Sequence, residues 1–150
     1  MLNVAIVGTG NISHNHIQGY LQFGQRCRIV ALVDIYPEKA EEKKARYGLT
    51  DARVYASHRQ LLEDALPIDI VDVCTPPYVH AEISIDALHA GCHVLCEKPM
   101  AASLEECDAM NASQQAHGKR IPIISLNRLT DAFLRLKAAP ACSPGSKLPP

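Results

Sequence analysis

Apolar and polar positions along this chain fall into alternating blocks of two kinds. Residues 2–7 form a short apolar run closed by glycines, as in a strand buried on both faces. Residues 11–23 follow with helical potential, and residues 29–33 form a second buried-strand run. Pro37 suits the first turn of a charged helix that runs to Arg46 and stops at Gly48. Val54 and Tyr55 suggest a short strand, and Ser57 caps a helix over residues 58–64. A third strong strand covers residues 68–74, interrupted by Asp69 and Asp72. Residues 78–90 predict a helix ended by Gly91, and residues 92–96 the next strand. Ser103, with Glu106 three places on, matches a capping box for a helix ending near Gly118. Residues 121–126 read as a further strand and residues 130–138 as a last helical piece. Strand and helix in regular alternation predict parallel strands joined by right-handed crossovers. The expected fold class is α/β, a doubly wound sheet with helices on both faces, three layers in all.

Residues 139–150 break the rhythm: they hold four of the ten prolines and have no period, so a disordered tail is expected there. The 150 residues suit one domain, expected over residues 1–138. Fifteen basic residues against sixteen acidic ones argue against a general nucleic-acid binder. No apolar run approaches the ~18 residues of a membrane span. Met1 leads straight into the first strand without a basic region or cleavage site, so a cytoplasmic location is expected. The six cysteines include no Cys-x-x-Cys pair. Cys92 and Cys96 on one strand would stand about 13 Å apart, too far to share a metal. Small buried hydrophobes in a reducing compartment, with no metal site, is the expectation.

The chemistry is concentrated where strands end. Gly8-Thr9-Gly10-Asn11-Ile12-Ser13 follows the first strand and opens the first helix. In that setting Gly8 permits a tight turn, and Gly10 lets the backbone approach a pyrophosphate at the helix N-terminus. The third position is Ser13 rather than glycine or alanine, still small enough for close helix–strand packing. Asp34 ends the second strand, where an acid can accept hydrogen bonds from adenosine ribose hydroxyls. A carboxylate there would repel a 2′-phosphate, so NAD is favoured over NADP.

Two more polar clusters end strands. In Cys74-Thr75-Pro76-Pro77 the prolines stiffen a loop, and Thr75 can offer a hydroxyl to a cofactor. Glu97-Lys98-Pro99 puts charges at a buried strand end, where charges usually have partners or a task. Lys98 could contact the nicotinamide ribose, polarise a substrate hydroxyl, or form an internal ion pair with Glu97. These alternatives stay open in the sequence.

The whole pattern resembles the cofactor domain of the glucose–fructose oxidoreductase/inositol dehydrogenase (Gfo/Idh/MocA) family. The matching segments are residues 4–12 with His16, Val33-Asp34, residues 73–77 with His80, residues 90–101, and Asn127-Arg128 with residues 133–137. The resemblance implies a Rossmann-type fold. It implies that Gly8, Gly10, Asn11 and Ile12 bind the pyrophosphate and Asp34 the ribose. Thr75, Pro76 and His80 would line the groove, Glu97, Lys98 and Asn127 would lie near the nicotinamide, and Lys98 would also assist catalysis. His16 matches the family too, with holding the glycine turn as its expected part. The implied reaction is hydride transfer between NAD and a CH–OH group of a sugar, cyclitol or polyol.

The family also has a second α+β domain that builds the substrate pocket and mediates oligomers, and this chain is expected to lack it. A truncated or frameshifted oxidoreductase, inactive alone, is therefore one expectation, with the tail as foreign sequence. A non-catalytic NAD-binding module or an inactive remnant is the other. Substrate and oligomeric state are left open.

Overall fold

The computed structural model describes residues 1–124. Five strands, β1 (Leu2–Val7), β2 (Cys27–Val33), β3 (Arg53–Tyr55), β4 (Ile70–Val73) and β5 (His93–Cys96), form one all-parallel sheet in the order β3-β2-β1-β4-β5. Five helices connect or follow them: α1 (Ser13–Gln22), α2 (Pro37–Arg46), α3 (His58–Glu63), α4 (His80–His89) and α5 (Leu104–His117). The strand order reverses at β1, with β2 on one side and β4 on the other. That switch point opens a crevice at the strands' C-terminal ends, where doubly wound sheets bind ligands.

Side-chain alternation along β1 makes the three layers. Val4 and Ile6 point to one face, joining Ile17 of α1 and Ala40 of α2 in one core. Ala5 and Val7 point to the other, joining Leu61 of α3, Leu88 of α4 and Met110 of α5. The same alternation places Val71 and Val73 of β4 in the second core and turns Asp72 between them toward α1. Beyond β5, residues 120–124 run parallel to its edge through Val94 N–H to Arg120 O, Cys96 N–H to Pro122 O and Ile124 N–H to Cys96 O. That is the start of the expected sixth strand. Asn127, the helix over 130–138 and the tail over 139–150 lie outside the described residues.

Several boundaries differ from the sequence expectation. The first helix starts at Ser13 rather than residue 11, because residues 10–12 are spent in the glycine turn. The helix expected over 78–90 is split. Pro77–Val79 form a 3₁₀ turn, closed by Val79 N–H on Pro76 O and His80 N–H on Pro77 O, and α4 starts at His80. At α5, Ser103 accepts from Glu106 N–H at 3.2 Å as a capping box requires, but the Glu106 carboxylate returns to Ala102 N–H instead of Ser103. Gly91, just past α4, takes φ +83°, the left-handed conformation that glycine allows without strain.

Candidate active site

The glycine turn is shaped from inside the protein at one position and left open at another. Gly8 has φ +93°, and a Cβ there would lie 2.7 Å from the Cys74 carbonyl oxygen. Only glycine lets β1 turn so close to the end of β4. Gly10 has nothing within 4 Å of where a Cβ would stand, so its value lies in the space outside it. Ser13, fully buried, donates its hydroxyl to Gly10 O at 2.7 Å. This fastens the turn to α1, a bond the sequence did not announce. Helix α1 has no side-chain cap. The N–H groups of Asn11 and Ile12 have no internal acceptor among the described residues. Unpartnered donors at a helix N-terminus, with open space at Gly10, form an anion cradle.

Asp34 faces this turn. Its Oδ2 accepts from Thr9 N–H at 2.8 Å and from the Thr9 hydroxyl at 2.7 Å, and its Oδ1 accepts from Tyr36 N–H at 3.0 Å. Partial burial raises the carboxyl, but these hydrogen bonds and the Lys39 ammonium outweigh it, so Asp34 is held below the usual carboxylate range. The anion is thus set before any ligand arrives, with lone pairs to spare. Lys43, in the charged helix α2, reaches the turn and donates to Gly10 O at 3.2 Å. It is 33 residues away in the chain, and no local pattern marks it.

The opposite wall is built from β4 and β5. The Thr75 hydroxyl is buried and has no partner among the described residues, which suits a ligand acceptor or donor. Pro76 is exposed beside it. His80 is fully buried. Its two ring nitrogens contact Pro99 O at 2.9 Å and Thr75 O at 2.7 Å, tying together the loops after β4 and β5. Its ring braces the groove from beneath. Lys98 is exposed at the end of β5. The internal Glu97–Lys98 ion pair, one of the sequence alternatives, is not what forms. Glu97 is 6% exposed and its Oε1 meets His16 Nε2 at 3.0 Å, while Oε2 accepts the Lys98 backbone N–H at 3.0 Å.

His16, expected to hold the turn, lies deeper than that. Its Nδ1 meets Asp72 Oδ2 at 2.8 Å. Burial alone would lower its proton affinity, but Asp72 and then Glu97 outweigh that, and the ring is held protonated above the ordinary histidine value of 6.5. Asp72 explains the acid in the middle of a buried strand. The Cys74 thiol, 3.3 Å from His16 Nδ1, is pushed up by burial. Among the described residues all cysteines are free, and Cys27, Cys74, Cys92 and Cys96 are buried.

Comparison with known proteins decides what this crevice belongs to. Residues 2–124 match the family model of the GFO_IDH_MocA oxidoreductases, described as an oxidoreductase family with an NAD-binding Rossmann fold. The chain belongs to the Gfo/Idh/MocA family. It is 34% identical over 134 residues to inositol 2-dehydrogenase from Ralstonia nicotianae, covering 89% of this chain and 39% of that protein. The WlbA dehydrogenase of Bordetella pertussis, solved with NADH and UDP-GlcNAcA, superposes with a TM-score of 0.85 at 31% identity, over 91% of this chain and 41% of that one. The myo-inositol 2-dehydrogenase of Lactobacillus plantarum gives a TM-score of 0.81 at 25% identity, over 91% and 40%. The chain thus spans about two-fifths of the length of these Gfo/Idh/MocA relatives and is their NAD-binding Rossmann domain. Among the described residues no helix is long and apolar enough to cross a membrane.

Proposed function

We propose that this chain is the cofactor-binding half of a cytoplasmic oxidoreductase that moves hydride between NAD and a CH–OH carbon of a sugar, cyclitol or polyol. The observation that carries the reading is the glycine turn at the sheet's switch point, with Asp34 already ionised across from it. Gly8, Gly10, Asn11 and Ile12 cradle the pyrophosphate at the start of α1. Asp34 accepts from the adenosine ribose, and its charge disfavours a 2′-phosphate, so NAD is the cofactor rather than NADP. Thr75 offers its unpartnered hydroxyl, while Pro76 and the braced His80 shape the groove. For Asn127, outside the described residues, the family resemblance implies a contact with the nicotinamide. When bound, NAD supplies the hydride-accepting ring. Lys98, exposed at the end of β5, is available to a substrate hydroxyl. Glu97 contributes from beneath by fixing the Lys98 backbone.

The substrate class is supported by the relatives, inositol 2-dehydrogenases and a dehydrogenase solved with UDP-GlcNAcA. The free, buried cysteines suit a reducing compartment. NADH fluorescence titration tests the central reading. Wild-type protein is expected to bind, and Asp34→Ala to weaken binding by about tenfold or more, the scale of one lost charged hydrogen bond. Equal affinity in the variant removes Asp34 from the site.

A further inference from the structure

The Glu97-Lys98-Pro99 segment is placed by a buried ionic network that the cofactor fingerprint does not contain. His16 contributes from α1, Asp72 from β4 and Glu97 from the end of β5. The His16–Asp72 contact is 2.8 Å, with side chains 4% and 0% exposed, and the His16–Glu97 contact is 3.0 Å, at 4% and 7%. Ionised carboxylates only accept hydrogen bonds. A neutral imidazole has one N–H and would turn a lone pair on one of the two acids. Both contacts are satisfied together when the ring carries a proton on each nitrogen. The other titratable groups against it are the Cys74 thiol, 3.3 Å from Nδ1, and the Tyr20 phenol beside Asp72. Burial keeps both of these protonated, so neither competes for the positive charge.

The network has an outlet. Glu97 holds His16 with one oxygen and the Lys98 backbone N–H with the other. We propose that His16 is a positioning residue: as a buried imidazolium between Asp72 and Glu97, it fixes the Glu97 carboxylate and through it the placement of Lys98 on the nicotinamide side of the crevice. The inference rests on the NAD-binding reading for what Lys98 faces, while the clamp itself exists without ligand.

The test separates the two. Long-range ¹H–¹⁵N spectra of histidine-labelled wild-type protein at pH 7.5 are expected to show both His16 ring nitrogens protonated. A single neutral tautomer there overturns the clamp, whatever the protein binds. In His16→Gln, the Lys98 backbone amide is expected to exchange about tenfold faster or more, the scale of a lost charged hydrogen bond. NADH affinity is expected to fall severalfold relative to ADP-ribose, which shares the adenosine and diphosphate but lacks nicotinamide. Parallel loss of both ligands, or an unchanged ratio, overturns the positioning role. If His16→Gln does not fold, Glu97→Gln carries the same readouts, with the His16 titration midpoint expected to drop as the neighbouring charge is removed. Failure of wild-type protein to bind either ligand defeats the NAD-binding reading and, with it, the assignment of Lys98, while the spectra still judge the clamp.

Discussion

The two walls of the crevice are built by different physics. The wall made by β1, β2 and the start of α1 is a matter of backbone: a left-handed glycine pressed against the end of β4, open N–H groups, and a carboxylate held by the loop it faces. The wall made by β4 and β5 is a matter of buried charge. There His16, Asp72 and Glu97 meet across separations of 56 and 81 residues, and His80 joins two loops through their carbonyls. The first wall depends on which residues are small. The second depends on ions that are stable only because all of them are present.

That contrast can be broken most forcefully at Asp72. Removing one member of a buried ionic set leaves the others uncompensated, so Asp72→Ala is expected to cost about 3–5 kcal/mol in chemical denaturation. A loss under about 1 kcal/mol would mean that the charges are not coupled. Next come the glycines. Gly8→Ala meets both an unfavourable φ and the Cys74 carbonyl, and is expected to lose about 2–3 kcal/mol of stability. Gly10→Ala, facing open space, is expected to leave stability within about 0.5 kcal/mol while weakening NADH about tenfold. If the two alanine variants lose stability alike, the first wall is not shaped as described.

A subtler effect is expected from pH. The folded-state proton affinity of His16 is raised above 6.5, so its stabilisation is complete below that pH and is lost as pH rises through the folded value. Urea midpoints from pH 6 to pH 9 should therefore fall more steeply for wild type than for His16→Gln; parallel profiles would deny His16 the charge. The smallest stability change is expected at Lys98. It is exposed and among the described residues makes no side-chain ion pair, so Lys98→Ala should leave the denaturation midpoint unmoved, within about 0.5 kcal/mol. It should still weaken NADH relative to ADP-ribose. A large loss of stability would make Lys98 structural.

The amino-acid sequence by itself determined the layered fold, because strand and helix periodicities are local and each apolar run carries its own partner face. It also determined the glycine turn and Asp34, since the turn's demands fall on neighbouring residues and on a strand end that the alternation locates. The sequence showed that Asp72 and His16 were present but not that they meet. Asp72 reads as an interruption in a buried strand, and His16 as a helix residue that holds the glycine turn. Lys43, in a run of surface charges, gave no sign of reaching Gly10. Only the tertiary structure decided these, because an ion pair between distant segments leaves no periodic trace. Its energy exists only once the sheet has brought β4, β5 and α1 together and shut out water. The partners of Glu97 were settled in the same way: two neighbours in sequence could have paired, but packing offered His16 on one side and the Lys98 backbone on the other.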